Sequence, residues 1–253
     1  MLNILFIPEI ILSIGVMIII LFDLFFQKQK GLSFTLVQFL LLIAAYYSLN
    51  NKFSPSYSAY ALNEFTNVFK FILLVGSLAI FHYTYKHLKF LKILKIEYFT
   101  ISLLGLIGTM IMISANSLLM LYLGIELLSL SLYALIGFNK KSSLSSEAAI
   151  KYYVLGAMSS GILLFGISLI YGFTGSIGYD DIASQLINID INSVDYIAII
   201  FGIIFITASL CFKFGAAPFH MWVPDIYQGS LISTTILLST LPKIAVFIVF
   251  LKL

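Results

Sequence analysis

The chain has 253 residues, of which 61% are hydrophobic and 10% are charged, and its formal net charge is +3. Soluble globular proteins carry about 25% charged residues, so this composition excludes an ordinary soluble domain. The single cysteine, Cys211, excludes disulfide bonds within the chain, cysteine-rich zinc sites and iron–sulfur clusters held by this chain alone.

Apolar stretches of about 20 residues, long enough to cross a hydrocarbon core of about 30 Å, recur along the sequence. They predict an all-α polytopic membrane protein with eight transmembrane helices and no soluble domain. We number the predicted helices 1 to 8 and place them at residues 4–26, 32–49, 66–85, 98–115, 117–138, 147–172, 196–222 and 230–251. Predicted helix 1 has no basic leading segment and a long apolar run, so we do not expect a cleaved signal peptide.

The lysines predict the orientation in the membrane. Loops after odd-numbered predicted helices hold eight of the fourteen lysines, namely Lys28, Lys30, Lys86, Lys89, Lys92, Lys95, Lys140 and Lys141. The loops after helices 2, 4 and 6 hold only Lys52, and the last of these loops is acidic, with Asp180, Asp181 and Asp190. The positive-inside rule therefore places both termini on the outer side. The segment from His87 to Lys95 predicts either a short interfacial amphipathic helix or a solvated basic loop.

Four charged residues lie within the apolar stretches: Glu126, Lys151, Lys213 and Lys243. A charge at the centre of a membrane helix costs about 2.5–3.5 kcal/mol on insertion scales, so such residues are rare and usually functional. Glu126 has no basic residue within four positions in the sequence, which leaves a transport role or a structural ion pair. Lys151 lies close to the expected N-cap Ser146 and four residues after Glu147, so it is either functional or extends back to the interface.

Lys213 lies after a long apolar run and just before Gly215 and Pro218. Proline removes a backbone donor, so predicted helix 7 is expected to be discontinuous here, as in the ion sites of transporters. His220 follows the break, where it either relays protons or hydrogen-bonds the freed backbone. Trp222 is expected to be an interfacial anchor.

Lys243 follows Pro242 near the centre of predicted helix 8, where the proline is expected to loosen the helix. Glu9 and Lys70 lie closer to the ends of predicted helices 1 and 3. We therefore expect Glu9 to be interfacial and Lys70 to extend towards the membrane surface. The glycines around Gly105–Gly108 and Gly156–Gly161 predict surfaces for close helix packing.

Three segments together carry a resemblance to a known family: SANSLLMLYLGIELLSLSLYALIGF, SSEAAIKYYVLGAMSSGILLFGISLIYGFTGS and FKFGAAPFHMWVPDIYQGS. They resemble subunit 2 (bacterial subunit N) of proton-pumping NADH:ubiquinone oxidoreductase, respiratory complex I. This is a family of antiporter-like membrane subunits. The resemblance is strongest from Glu97 to Lys243 and weaker over the first three predicted helices.

The resemblance implies that the chain translocates protons through a row of buried charges, driven by redox chemistry elsewhere in the complex. Glu126, Lys151, Lys213 and Lys243 match the family's row one by one. It also implies two parts: residues 1–96, with three helices and the amphipathic loop, and residues 97–253, a five-helix antiporter-like repeat of predicted helices 4–8. This chain is expected to hold no cofactor, since NADH, FMN, iron–sulfur clusters and quinone belong to other subunits.

The family's members have about fourteen helices, including two inverted five-helix repeats, helices 4–8 and 9–13. The resemblance leaves two possibilities, that another polypeptide supplies the second half or that it has been lost. We expect a separate chain to supply helices 9–14, beside other membrane-arm subunits and lipids, with no nucleic acid. The expected location is the mitochondrial inner membrane, or alternatively a bacterial plasma membrane. Two other functions remain open from the sequence: a component of a cation/proton antiporter, and a non-pumping structural subunit whose charges form ion pairs.

Overall fold

A computed structural model describes residues 6–26, 29–50, 59–187 and 193–253. Lys28, Lys52 and Asp190 lie outside these ranges. The helices in the described residues are α1 Ile7–Phe25, α2 Lys30–Asn50, α3 Glu64–Phe90, α4 Glu97–Ser114, α5 Leu118–Ile136, α6 Ser143–Thr174, α7 Tyr179–Leu186, α8 Val194–Phe214, α9 Trp222–Gly229 and α10 Ile232–Lys252. Eight of them, all except α7 and α9, are long and apolar enough to cross a membrane. The predicted all-α membrane fold with eight transmembrane helices is confirmed.

Several predicted boundaries were wrong because local capping groups set the ends. Helix α6 begins at Ser143, since the Ser142 side chain accepts the backbone N–H of Ser145 at 3.3 Å, so the expected N-cap Ser146 lies inside the helix. Helix α3 runs on to Phe90, and the chain then turns at Lys92, whose φ is 57°. The basic segment therefore forms no separate interfacial helix. Helix α7, in the acidic loop, was not predicted.

The break in predicted helix 7 is confirmed, and the residue that ends the helix is Gly215. Helix α8 ends at Phe214, eight residues before the predicted end, and Gly215 has a left-handed φ of 77°. The N–H of Gly215 reaches the carbonyl of Phe212 at 3.0 Å, and the N–H of Ala216 reaches that of Cys211 at 3.0 Å. This pair of bonds is the Schellman termination that glycine favours, so the helix stops before it reaches Pro218.

Helix α10 remains continuous through Pro242. The proline leaves the carbonyl of Leu238 without its helical donor, but the apolar packing of α10 against α3, α4 and α8 holds the helix together. Pro242 is therefore no second break, contrary to the expected loosening.

Close contacts between glycines set the distances between the central helices. Helix α4 is the most buried span, and it packs along α5 where Gly108 faces Gly124. Helices α6 and α8 approach in the same way where Gly166 faces Gly202. The N-terminal helices join this core because α1 contacts α4 and α3 contacts α10. The predicted small-residue packing is confirmed for Gly105 and Gly108.

We predict that Gly108→Ala lowers stability by roughly 1–3 kcal/mol, the usual cost of overpacking. A Cβ at this position would lie 2.7 Å from the backbone N of Leu128 and 2.9 Å from the carbonyl O of Gly124. Neither backbone atom can move without shifting α5. The midpoint temperature of unfolding of the detergent-purified protein measures the effect. Gly76→Ala is the matched control, since a Cβ there meets nothing within 4 Å. Equal midpoints for the two variants would contradict the prediction.

Candidate functional site

Lys213 lies at the end of α8 with only 7% of its surface exposed. Its ammonium donates a hydrogen bond to the Ser129 hydroxyl of α5 at 2.8 Å. That hydroxyl in turn donates to the carbonyl of Ile125 at 2.7 Å. The buried ammonium of Lys213 therefore has one described hydrogen bond, and its acceptor is a neutral hydroxyl. This arrangement compensates the positive charge poorly.

Glu126 supplies the opposite charge without contacting the lysine. It precedes Ser129 by three residues on α5, so both side chains lie on one face of the helix. The Glu126 carboxylate acts electrostatically on Lys213, although no ion pair within 4 Å joins them among the described residues. Its Oε1 atom is buried and has no hydrogen-bond partner in the described part of the chain. The structure thus brings two of the predicted residues within electrostatic range of each other, without an ion pair between them in the described part of the chain.

Trp222 stabilises the broken end of α8. Its indole Nε1 donates to the carbonyl of Phe212 at 2.9 Å, and only 2% of the residue is exposed. The expectation of an interfacial anchor was therefore wrong. A helix that ends inside a membrane protein exposes carbonyls that need donors, and the indole satisfies one of them.

Lys243 lies beside the same break, on α10. Its Nζ atom is 3.9 Å from the position that a Cβ of Gly215 would occupy, and 5.8 Å from the centroid of the Tyr227 ring. No hydrogen bond or ion pair reaches this ammonium from the residues that the structure describes. Lys243 and Lys213 therefore approach the turn at Gly215 from two different helices.

Lys151 differs from the other predicted residues because its side chain is 45% exposed in this chain. It forms ion pairs with Glu147 on α6 at 2.9 Å and with Asp225 on α9 at 2.8 Å. The contact links α6 to the short helix after the break. A place for Lys151 in the row of buried charges stays a prediction.

His220 lies in the turn between α8 and α9, and its imidazole is exposed. It has no side-chain hydrogen bond, ion pair or ring contact with the described residues. The structure therefore does not join it to Lys213, and its role as a proton relay stays a prediction.

Ring contacts that the sequence analysis did not predict connect the helices around this site. The Tyr133 ring lies 5.1 Å from Tyr152, which lies 5.0 Å from Trp222, which lies 6.5 Å from Tyr227. The hydroxyls of Tyr133 and Tyr227 are buried without hydrogen-bond partners in the described residues. Tyr133 follows Ser129 by four residues, so the i, i+3, i+7 spacing from Glu126 was the sequence signal for a polar face on α5.

A second ionic cluster was also missed. Lys70 and Glu9 form an ion pair at 2.6 Å, and Lys70 is only 1% exposed. The expectations of a Lys70 side chain extending to the surface and of an interfacial Glu9 were wrong. Tyr60 donates to the same Glu9 oxygen at 2.6 Å. Burial, assisted by the Glu9 carboxylate, raises the pKa of the Tyr60 hydroxyl well above its usual range, so this hydroxyl stays protonated.

We predict that Ser129→Ala lowers the free energy of unfolding by about 1–3 kcal/mol, because it leaves the Lys213 ammonium without its described hydrogen-bond acceptor. Thermal unfolding of the purified protein measures the change. Ser131→Ala is the matched control, since the Ser131 hydroxyl bonds only the carbonyl of Leu127 on its own helix, at 2.8 Å. Two equal unfolding temperatures would show that the Lys213–Ser129 bond contributes nothing.

Comparison with curated proteins identifies relatives that are bacterial. The chain is 42% identical over 245 residues to NADH-quinone oxidoreductase subunit N of Ruthia magnifica subsp. Calyptogena magnifica, covering 95% of this chain and 51% of the relative. It is 37% identical over 249 residues to the subunit N of Pelagibacter ubique, covering 97% and 52%. The chain thus spans about half the length of the curated relatives it matches.

Solved structures share the fold. A chain of respiratory complex I from Thermus thermophilus with bound Aureothin matches with a TM-score of 0.78 and 26% identity, over 97% of this chain and 53% of that chain. A chain of the archaeal membrane-bound sulfane sulfur reductase matches with a TM-score of 0.79 over 95% of this chain and 51% of that chain. Its identity of 21% supports the fold alone.

The family described as NADH:quinone oxidoreductase/Mrp antiporter, TM, matches residues 115–253, which are more than half of the chain and include α5, the broken end of α8 and α10. The chain belongs to this family.

Proposed function

We propose that this chain translocates protons in the membrane arm of an NADH:quinone oxidoreductase. The observation that carries the proposal is the ammonium of Lys213, buried at the broken end of α8 and bonded to a neutral hydroxyl, with the Glu126 carboxylate nearby. A structural ion pair would place the two charges in contact. Instead the one described hydrogen bond of the ammonium goes to a neutral hydroxyl, which holds the proton less firmly than a carboxylate in contact would.

Two opposing effects control the charge of Lys213. Burial in a medium of low dielectric constant disfavours the ammonium, whereas the Glu126 carboxylate favours it. Neutralising Glu126, or placing another cation close to the turn at Gly215, therefore promotes loss of the proton. Lys243 is the cation on the opposite side of that turn. Alternating protonation of Lys213 and Lys243 would move a proton from α8 to α10.

The energy for this movement comes from outside the chain in our proposal. Moving one proton against 100 mV costs about 2.3 kcal/mol, and the single cysteine of the sequence cannot hold an iron–sulfur cluster by itself. NADH, FMN, iron–sulfur clusters and quinone are assigned to other subunits. In this assignment the chain responds to redox chemistry through changes in charge near Glu126.

The location and partners follow from the same assignment. The curated relatives are bacterial, which favours a plasma membrane over the mitochondrial inner membrane. The topology of the lysines supports termini on the outer side. Other membrane-arm subunits, lipids and the second repeat, helices 9–14, would cover the apolar side chains that α6 and α8 expose, such as Phe165 and Phe201.

A cation/proton antiporter component is the second candidate function, because the family description names the Mrp antiporter beside the oxidoreductase. The two candidates differ in their driving force. Sodium-dependent proton transport in membrane vesicles, in the absence of NADH, would favour the antiporter. Proton transport that requires NADH and is indifferent to sodium would favour the oxidoreductase.

We predict that Lys213→Met lowers the number of protons pumped per NADH oxidised while the complex still assembles. Methionine fills a similar volume without a titratable group, so it removes the proton carrier and spares the packing. Proton uptake by inverted membrane vesicles, divided by the rate of NADH oxidation, measures the effect. Lys141→Met is the matched control, since Lys141 is exposed in the turn between α5 and α6.

Unchanged stoichiometry in the Lys213 variant would defeat the proposal. The purely structural alternative makes a further prediction, that joint neutralisation of Glu126 and Lys213 leaves pumping intact. Reduced pumping in a fully assembled double variant, Glu126→Gln with Lys213→Met, rejects that alternative.

A further inference from the structure

Glu9, Tyr60 and Lys70 come from three separate parts of the chain and meet in a buried cluster. The Lys70 ammonium lies 2.6 Å from Glu9 Oε1 and donates to the Tyr60 hydroxyl at 2.6 Å. The Tyr60 hydroxyl donates in turn to Glu9 Oε1 at 2.6 Å. Exposure is 1% for Tyr60 and Lys70 and 4% for Glu9. The hydroxyl therefore accepts from the cation and donates to the anion, in a continuous hydrogen-bonded path.

Stability alone is a weak reason for this cluster. Buried ion pairs are often no more stable than apolar side chains of the same volume, because both charges lose their hydration. Here the carboxylate is also only partly satisfied, since Glu9 Oε2 is buried without a hydrogen-bond partner among the described residues. A group kept charged at such a cost, with one oxygen free to accept a proton, indicates a role beyond packing.

We propose that Glu9, Tyr60 and Lys70 form a second proton-exchange site, on the side of the bundle where α1 and α3 begin. The inference rests on the proposed function, because it extends the proton path of Lys213 and Lys243. In the exchange step, an N–H bond of Lys70 breaks as its proton passes to the Tyr60 oxygen. The Tyr60 O–H bond breaks as its own proton forms a new O–H bond on Glu9. The ion pair becomes a neutral amine and a neutral acid, with no net change in charge.

The cluster lies close to an end of the membrane-spanning bundle. Lys70 is six residues from the start of α3, which is about 9 Å at 1.5 Å per residue. Glu9 is only two residues from the start of α1. Lys213 lies at the opposite end of its helix, nineteen residues or about 28 Å from the start of α8 and beside the break. The Glu9 site is therefore placed to pass protons between the bundle and the adjacent aqueous side.

Lys252 shares α10 with Lys243 and lies near the Glu9 cluster. It lies nine residues after Lys243 on α10, about 13 Å along the helix. Its ammonium donates to the carbonyls of Ile113 at 2.7 Å and Ala115 at 2.9 Å. It also repels the Lys70 ammonium electrostatically. The two ammonium groups therefore repel each other across the outer ends of α3 and α10.

Backbone contacts fix the geometry of this connection. Tyr60 and Ala115 form an isolated antiparallel bridge, in which the N–H of Asn116 reaches the carbonyl of Ala59 at 3.0 Å. Lys252 binds the carbonyl of the same Ala115. The tyrosine that bridges Glu9 to Lys70 and the lysine that acts on Lys70 are thus both attached to the end of α4.

The test uses the assembled oxidoreductase carrying the double variant Glu9→Gln with Lys70→Met, which removes both charges together. We expect normal assembly, near-normal NADH oxidation and a loss of protons pumped per NADH comparable to that of Lys213→Met. Unchanged stoichiometry in the assembled double variant overturns the inference, because a structural ion pair tolerates balanced neutralisation.

If the double variant does not assemble, Tyr60→Phe tests the proposed exchange site instead. This change keeps both charges, the ring and the direct 2.6 Å contact of Lys70 with Glu9, and it removes only the hydroxyl through which the proposed exchange runs. Reduced pumping in the assembled complex supports the inference, and normal pumping or failure to assemble overturns it. Tyr46→Phe is the matched control, since Tyr46 is 64% exposed on α2. If Lys213→Met pumps normally while the Glu9→Gln, Lys70→Met double variant loses pumping, the proposed role of Lys213 is rejected. The proposed role of the Glu9, Tyr60 and Lys70 cluster is then retained.

Discussion

The structure depends on one constraint: a cation inside a membrane-spanning bundle must be solvated by protein groups, because lipid offers none. The ammonium of Lys213 is solvated by the Ser129 hydroxyl rather than by a carboxylate in direct contact. This solution is weaker than an ion pair, since the hydroxyl carries only a partial charge. It keeps the ammonium buried, and Glu126 compensates the charge without an ion pair among the described residues.

Close helix packing makes that solution possible. Gly108 and Gly124 bring α4 against α5, and Gly166 and Gly202 bring α6 against α8. The α6–α8 contact is reinforced by Ser159 and Ser209, whose hydroxyl oxygens lie 2.9 Å apart. Helix α5 also packs against α6, which joins the two pairs. Together these contacts place the polar face of α5 beside the end of α8, where Ser129 meets Lys213.

The end of α8 also needs hydrogen-bond donors from other parts of the chain. Its carbonyls cannot stay unpaired in a membrane, and they are satisfied by the turn at Gly215 and by the indole of Trp222. Trp222 also continues the ring contacts from Tyr152 to Tyr227. One residue therefore caps the helix and fixes the position of α9. Asp225 on α9 pairs with Lys151 on α6. This exposed ion pair links α6 to the short helix that follows the break.

The three lysine environments differ in how the positive charge is compensated. Lys70 contacts its carboxylate directly, Lys151 has two carboxylates at the surface, and Lys213 has a hydroxyl with a carboxylate further away. Coulomb energy falls with distance and with dielectric constant, so these arrangements hold their protons with different strengths.

The sequence by itself determined the membrane class, the eight spans, the break after Lys213 and the residues that resemble a proton path. Hydrophobic length and a glycine near a lysine are local properties, and local properties can be read from the order of residues. The sequence also indicated a polar face on α5 through the spacing of Glu126, Ser129 and Tyr133. It did not show which residue on another helix that face would meet.

Only the tertiary structure decided which charges are buried and what they contact. Lys70 lies close to a helix end, a position from which a lysine side chain usually reaches the surface. It is nevertheless buried, because Glu9 and Tyr60 from distant parts of the chain enclose it. Lys151 lies well inside α6, yet it reaches the surface because the side of the helix that carries it is left uncovered. Burial depends on which helices pack together, and that packing is set by long-range contacts that no local pattern contains.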